Sequence, residues 1–165
     1  FIPYIENLGL DNYVFAAPDV GSTNRVREVA SYFGAEMVIC DKYRKKANEV
    51  GSMTVIGDVN GKHVILIDDI VDTAGTLCKA ASLLKEKVAL SVRAFCTHPV
   101  LSGKAYENVA NSELEKLVVC DTMPLKENID KIEVLTSAQL FAVAIRNTFE
   151  NKSITSLFAH KPKLT

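Results

Sequence analysis

The sequence has 165 residues, of which 48% are hydrophobic and 24% charged, a composition typical of a globular domain with a substantial core. Its formal net charge is −1, so no overall charge would draw the chain towards nucleic acid or a membrane surface. No apolar run approaches the roughly 18 residues that a membrane span requires. The composition therefore predicts neither a nucleic-acid partner nor a membrane partner.

The four cysteines are predicted to be structural. None belongs to a C-x-x-C pair or to a Cys/His set with the spacing of zinc ligands. Cys40, Cys96 and Cys120 each end an apolar run, which favours small buried side chains in a reducing compartment over disulfides or metal ligands. The sequence thus predicts a cytoplasmic protein.

In chain order, apolar runs and helical periodicity alternate. Apolar runs predict strands at Tyr13–Ala17, 37–40, 53–56, 64–67, 90–96, 117–120 and Ile132–Leu135. Apolar residues at helical spacing predict helices at 24–33, 76–87, 101–111 and Ala138–Phe149. Gly34 follows the first of these helices, as expected of a glycine that ends a helix. The basic stretch 41–49 is predicted to be a loop, and 154–158 a short apolar tail.

Strands regularly separated by helices predict an α/β fold with a mainly parallel sheet flanked by helices. We expect one domain over residues 1–165, with 150–165 as a carboxy-terminal tail. In such sheets, ligands bind beyond the carboxyl ends of the strands. The chemistry should therefore lie just after the predicted strands.

The segment 64–76, VILIDDIVDTAGT, carries the most informative pattern. An apolar strand ends in Asp68 and Asp69, whose carboxylates can accept hydrogen bonds from sugar hydroxyls, directly or through Mg²⁺. A loop of small residues then leads into a helix, whose free amides and dipole favour an anion. We call this loop the cradle; its residues are Asp72, Thr73, Ala74, Gly75 and Thr76. The acid pair and the cradle together predict a sugar-phosphate site, in preference to a capped helix after an acidic turn.

This segment resembles the phosphoribosyl-pyrophosphate motif of the type I phosphoribosyltransferase fold, with four apolar residues, two acids and a D-T-x-G-T loop. Five further segments, in family order, resemble elements of the ribose-phosphate pyrophosphokinases. They are 18–25 (PDVGSTNR), 41–48 (DKYRKKAN), 97–103 (THPVLSG), 119–124 (VCDTMP) and 153–158 (SITSLF). One departure is Ser22, where the family usually has glycine. Its Cβ excludes glycine-only backbone angles, and its hydroxyl could cap the next helix.

The resemblance implies transfer of the pyrophosphoryl group of ATP to the anomeric hydroxyl of ribose 5-phosphate, giving phosphoribosyl pyrophosphate and AMP. It implies that Lys42 and Arg44 are catalytic, with Arg44 also gripping phosphate oxygens of the substrate. Asp19 would bind Mg²⁺, and Asp68 and Asp69 would hold the ribose hydroxyls. The cradle would bind the 5-phosphate.

The resemblance also implies regulation and assembly. In the family, phosphate or ADP acts at a site between subunits of a homo-oligomer, a hexamer in its classical members. The matching positions are Arg25, Ser153, Thr155 and Phe158. Relatives are about twice as long and the sequence does not begin with methionine, so we expect the carboxy-terminal half of a two-domain enzyme. With most of the ATP site in the other half, the chain is expected to be inactive alone.

Two alternatives stay open at this stage. A base phosphoribosyltransferase would need a hood segment for the base, and none is evident between the matched elements. A non-catalytic regulator or a pyrophosphokinase-associated subunit could share the fold. In that subunit an insertion interrupts the catalytic loop, whereas the stretch 42–58 is short and uninterrupted, which favours a catalytic chain.

Two structural expectations follow from these assignments. Asp19, Asp68 and Asp69 should meet at the carboxyl edge of the sheet, because each follows a predicted strand. The stretch 41–49 should be mobile without substrates, since it is polar and its cations repel one another.

Overall fold

The computed structural model describes residues 1–43 and 52–158, with side chains for residues 1–41 and 53–158. The described helices are α1 (Ile2–Asn7), α2 (Thr23–Phe33), α3 (Gly75–Glu86), α4 (Ala105–Ala110), α5 (Ala138–Phe149) and a 3₁₀ turn (Thr155–Leu157). The described strands are β1 (Tyr13–Ala17), β2 (Met37–Tyr43), β3 (Ser52–Ile56), β4 (His63–Val71), β5 (Ser91–Pro99), β6 (Lys116–Cys120) and β7 (Ile132–Leu135). None of these helices is long and apolar enough to cross a membrane.

The described strands form one sheet in the order β3-β2-β1-β4-β5-β6-β7. Only β2 and β3 pair in antiparallel fashion within it, so the predicted α/β fold with a mainly parallel sheet is confirmed. The chain order reverses at β1, which has β2 on one side and β4 on the other. Such a switch point opens a crevice at the carboxyl ends of the two strands, where ligands of α/β proteins usually bind.

Successive residues of the central strands point to opposite faces and feed a hydrophobic cluster on each face. In β4, Val64 and Leu66 belong to the cluster that contains the buried residues of α3 and α4. Ile65 and Ile67 belong to the cluster that contains those of α1 and α2. All four are at most 3% exposed, which confirms the prediction of a strand covered on both faces.

Several strands are longer than predicted. The ladder between β4 and β5 continues to Val71 and Pro99, so the prediction that Asp68 and Asp69 end the strand is wrong. Likewise β2 runs on to Tyr43, because residues 41–43 pair with the start of β3. In both cases backbone pairing with a neighbouring strand continues through polar residues, which hydropathy alone cannot reveal.

Two helices also differ from the prediction. Helix α1, which the sequence pattern missed, is held by tertiary contacts: the rings of Phe1 and Tyr4 pack edge-on against Phe95, at centroid distances of 5.4 and 5.7 Å. Helix α4 begins at Ala105 rather than at residue 101. The preceding backbone is diverted because Leu101, with a φ of 46°, donates its N–H to the Val71 carbonyl.

We predict that Gly57, directly after β3, tolerates no side chain. Its φ is 115°, and a Cβ placed there would lie 2.5 Å from Val38 Cγ1 of β2. Gly57→Ala should therefore lower the free energy of unfolding by about 2–4 kcal/mol, from overlap plus backbone strain. Gly61→Ala is the control, since Gly61 has a φ of 66° but open space around it, and should cost about 1 kcal/mol. Equal losses in urea titrations would contradict the steric explanation.

Candidate functional site

Two neighbouring carboxylates and one guanidinium form an ion cluster in the carboxyl half of β4. Arg25, from α2, places Nη2 2.6 Å from Asp69 Oδ2 and Nη1 3.5 Å from Asp68 Oδ1. The side chains of Arg25 and Asp69 are 39% and 51% exposed, so each pair stabilises the fold by about 0–1 kcal/mol. The main effect of the guanidinium is electrostatic, because its positive charge favours the ionised form of Asp69.

Arg25 was assigned from the sequence to a regulatory site with Ser153, Thr155 and Phe158. In the structure it contacts the acid pair, while the other three positions follow α5. There the Ser153 hydroxyl donates to Thr155 Oγ1 at 3.0 Å. Since the implied site lies between subunits, the regulatory role stays a prediction.

The two acids differ in pKa. Burial raises the pKa of Asp68 to about 6, with the charges of Asp19 and Asp69 adding to the rise. Burial also acts upward on the Asp69 pKa, but the Arg25 charge and hydrogen bonds from Asp68 and from backbone amides lower it below its usual value. At neutral pH the pair is thus anionic, and Asp68 is the member whose charge is costly.

The cradle leads directly into the N-terminus of α3. Ala74, the residue before the helix, is 5% exposed and has the left-handed angles φ 59° and ψ 2°. The Cys78 amide donates to the Ala74 carbonyl at 2.9 Å. This is the first backbone hydrogen bond of α3. The amides of residues 75–77 come before it and lack an intrahelical acceptor, so they can bind an anion.

A cavity of about 210 Å³ lies between the cradle and the acidic edge of β4. Its lining includes Asp19, Asp68, Asp72, Thr73, Gly75 and Thr76. Asp19 follows β1 and Asp68 lies in β4, so the crevice at the switch point brings together residues 49 positions apart, as expected. Asp69 is not part of this lining, but Arg25 contacts both Asp68 and Asp69 and so connects Asp69 to the cavity.

Ser22 shapes the loop that carries Asp19. Its amide donates to Asp19 Oδ1 and its hydroxyl to the Asp19 carbonyl, both at 2.9 Å. The hydroxyl makes no capping bond to α2, so the capping prediction is wrong. With a φ of −83°, the position requires no glycine-only angle, and serine is accommodated there.

The implied catalytic residues lie at the edge of what the structure describes. The backbone of Lys42 is part of β2, paired with Met53 of β3, so the prediction of a loop is wrong for residues 41–43. The Lys42 side chain, Arg44 and the rest of the predicted mobile stretch lie outside the described residues. Their catalytic roles stay predictions.

Asp19 is the residue at the cavity that could help to hold Mg²⁺, together with oxygens from a bound ligand. Among the described residues, no three His, Cys, Asp or Glu side chains are grouped so as to hold a metal ion by themselves. Mg²⁺ is usually held by one or two carboxylates together with phosphate oxygens and water. Asp19, beside a cavity with room for a phosphorylated ligand, fits that pattern.

Two residues that were not predicted from the sequence support the cradle. Ser102 donates its amide to the Asp72 carbonyl at 3.1 Å and its hydroxyl to Asp72 Oδ1. Asn108 of α4 donates its side-chain amide to the Thr73 carbonyl at 2.9 Å. The matched segment 97–103 contains Ser102, but no sequence signal points to Asn108.

We predict that Asp68→Asn stabilises the fold in a pH-dependent way. The folded-state pKa of Asp68 lies above the usual 3.8, so wild-type stability falls as pH rises between about 4 and 6. The asparagine variant escapes this loss. Two pKa units correspond to about 3 kcal/mol, which partial exposure reduces to about 1–2 kcal/mol above pH 6. Chemical denaturation at pH 4 and pH 7.5 measures the difference, which should vanish at pH 4.

Asp121→Asn should behave in the opposite sense. The Asp121 carboxylate accepts hydrogen bonds from the hydroxyl and amide of Ser137 at 2.6 and 2.8 Å, which lower its pKa to about 2. This contribution is present above pH 4 and is lost as pH falls through 2. The variant should thus be less stable than wild type at pH 7.5. A gain in stability for both variants would contradict the electrostatic explanation.

Comparisons with known proteins agree with this geometry. The family model described as the phosphoribosyl synthetase-associated domain matches residues 20–159. The ribose-phosphate pyrophosphokinase of Campylobacter jejuni subsp. jejuni is 52% identical over 158 residues, covering 96% of this chain and 51% of that protein. The chain thus spans about half the length of the curated relatives it matches.

Solved structures extend the comparison. The crystal structure of phosphoribosylpyrophosphate synthetase from Mycobacterium smegmatis aligns with a TM-score of 0.78 at 35% identity, over 86% of this chain and 46% of that one. The purine phosphoribosyltransferase from Pyrococcus horikoshii Ot3 aligns with a TM-score of 0.53 at 16% identity, over 82% and 81% of the two chains, and shares the fold alone. Because the family model spans all but a short stretch at each end, the chain belongs to the phosphoribosyl synthetase-associated domain family.

Proposed function

We propose that the protein transfers the pyrophosphoryl group of ATP to the anomeric hydroxyl of ribose 5-phosphate, forming phosphoribosyl pyrophosphate and AMP. In this proposal the chain supplies the ribose 5-phosphate site. The observation that carries it is that the acidic edge of β4 and the cradle line one cavity of about 210 Å³. The names of the relatives support the same reaction.

In this proposal the phosphate lies at the cradle end of the cavity and the sugar at the end lined by Asp19 and Asp68. The phosphate would accept hydrogen bonds from the amides at the start of α3 and from the hydroxyls of Thr73 and Thr76. The ribose hydroxyls would donate to Asp68 and Asp69, which are anionic at neutral pH. The separation of positive and negative groups orients the sugar.

Catalysis requires stabilisation of negative charge on the transferred group. Asp19, together with phosphate oxygens, would hold Mg²⁺, which would neutralise part of that charge. Lys42, near the end of β2, and Arg44, directly after β2, would supply further cations, Arg44 as a bidentate donor and Lys42 as a point charge. Arg25 would orient the acid pair through its contact with Asp69.

Assembly, regulation and location are part of the proposal. We infer a homo-oligomer in which Arg25, Ser153, Thr155 and Phe158 contribute to an effector site for phosphate or ADP between subunits. We also infer a cytoplasmic enzyme, since the four cysteines are free thiols and Cys40 and Cys96 are buried.

The other functions on this fold receive less support. A base phosphoribosyltransferase has only the distant fold likeness in its favour, at 16% identity. A non-catalytic associated subunit would be expected to have an insertion in the catalytic loop, whereas the segment between β2 and β3 spans only residues 44–51. A phosphoribosyl-transfer assay with adenine and with guanine addresses the first function, and the AMP assay below addresses the second.

Thr76→Val is expected to weaken ribose 5-phosphate binding. The change keeps the side-chain shape but removes a hydroxyl donor from the cavity lining, so the loss should be about 1–3 kcal/mol, or roughly 5- to 150-fold in affinity. Calorimetric titration measures the dissociation constant. Thr148→Val, an equivalent change in α5, is the control and should leave affinity within twofold. Unchanged affinity of Thr76→Val would remove Thr76 from the phosphate site.

The chain alone is expected to bind ribose 5-phosphate weakly and to form no AMP. We propose that most of the ATP site lies in the part of the relatives that the chain does not match. Without it, ATP is not held in line with the sugar hydroxyl, and lost positioning costs roughly 7–11 kcal/mol, about five orders of magnitude in rate or more. AMP formation is followed with Mg²⁺, ATP and ribose 5-phosphate, using this chain and a two-domain protein of the relatives' length. A rate for the chain within about tenfold of the longer protein would place the ATP site here.

A further inference from the structure

The cradle is a partly exposed loop in an unfavourable conformation. Asp72 and Thr73 are exposed, and Ala74 has a positive φ of 59°, which is a strained backbone conformation for a residue with a Cβ. Such a conformation persists only where neighbouring contacts hold it. The contacts that hold it come from outside the loop, from a supporting segment at residues 100–110 that comprises the link from β5 to α4 and α4 itself.

Three hydrogen bonds connect that segment to consecutive carbonyls. The amides of Leu101 and Ser102 donate to the carbonyls of Val71 and Asp72, both at 3.1 Å. The Asn108 side-chain amide donates to the next carbonyl, that of Thr73, at 2.9 Å. The Ser102 hydroxyl adds a fourth bond, to Asp72 Oδ1.

The supporting segment is itself well anchored. Leu101 is 2% exposed, and in α4 the residues Ala105, Tyr106 and Val109 are 0%, 6% and 0% exposed. All four belong to the hydrophobic cluster on this face of the sheet. The donors therefore sit on packed structure, whereas the acceptor carbonyls of Asp72 and Thr73 belong to exposed residues.

These bonds fix the direction of the loop amides. In a trans peptide unit the C=O and N–H vectors are antiparallel, so the direction of a carbonyl sets that of the following residue's amide. The Asp72 carbonyl points towards Ser102, so the amide of Thr73 points away from Ser102. Likewise the Thr73 carbonyl points towards Asn108, so the amide of Ala74 points away from Asn108. Thr73 and Ala74 both line the cavity assigned to the phosphate.

We propose that Ser102 and Asn108 are positioning residues that hold two successive peptide planes of the cradle so that their amides face a bound phosphate. Neither side chain needs to touch the ligand. The identity of the ligand rests on the proposed function, whereas the positioning of the loop does not. Anion affinity would then be set partly by α4, a helix that lies outside the sugar-phosphate motif.

The test compares Asn108, which lies in α4, with Asn111, which directly follows α4. Asn108→Ala removes the donor to Thr73, whereas Asn111→Ala makes the same truncation one turn away. Both residues line the same groove of about 710 Å³ along α3 and α4, and no side-chain hydrogen bond of Asn111 to the cradle occurs within the described residues. Asn108→Gln restores an amide donor on a longer side chain.

Two readouts are combined. The first is amide hydrogen exchange at Ser102 and Cys78, whose acceptors are the cradle carbonyls of Asp72 and Ala74. The second is the affinity for ribose 5-phosphate and for inorganic phosphate by calorimetry. Asn108→Ala should speed exchange at both amides and weaken both ligands about 5- to 10-fold, as expected for loss of one hydrogen bond. Asn111→Ala should stay within twofold of wild type, and Asn108→Gln should recover part of the loss.

Ser102→Ala, alone and combined with Asn108→Ala, provides a second test. Because both side chains hold the same loop, the combined loss of affinity should differ from the product of the two single losses. Wild-type exchange and wild-type affinity in Asn108→Ala would overturn the positioning role while leaving the proposed function intact. A wild-type chain that does not bind ribose 5-phosphate would instead refute the proposed function, and the exchange comparison would still decide the positioning role.

Discussion

The parallel pairing of β4 with β1 on one side and β5 on the other is the constraint on which the site depends. Pairing with β1 aligns the carboxyl ends of two strands, so that Asp19 and Asp68 line one crevice. Pairing with β5 continues to Val71 and keeps the backbone extended through the acid pair. The same ladder brings the end of β5 beside the cradle, where Ser102 reaches Asp72. A one-residue shift in this register would separate Asp19, the acid pair and the cradle from one another.

Charge balance is the second constraint. Burial of Asp68 near Asp19 opposes ionisation, whereas Arg25 favours the ionised form of Asp69. The resulting site is acidic at the end that we assign to the sugar and has free amides at the end that we assign to the phosphate. In the proposed function a phosphorylated sugar would contact both ends, whereas inorganic phosphate would contact only one. A buried carboxylate with a raised pKa is costly to ionise, and such groups are common at functional sites.

Local sequence information is sufficient where hydropathy and burial coincide. Val64 to Ile67 is apolar and buried on both faces, and its position was predicted because hydropathy reports burial directly. Helix α5 and strand β7 were predicted to the residue. The ends of β2 and β4 were not, since their last residues are polar and are held by pairing with β3 and β5. The contact of Arg25 with the acid pair was not predicted either, because the two partners are 44 residues apart in the sequence.

The sequence by itself determined the fold class, the acid pair and the cradle, because each is written in consecutive residues whose apolar, acidic or small character has a local physical meaning. It also indicated the family through ordered motifs, and residues 20–159 match the family model. Only the tertiary structure decided which distant residues complete the site. Sheet register and helix packing bring three such residues to it: Arg25, Ser102 and Asn108. Each forms a hydrogen bond with a residue that is 30 to 44 positions away in the sequence. Hydropathy and propensity describe single segments, so they carry no information about which segments will meet.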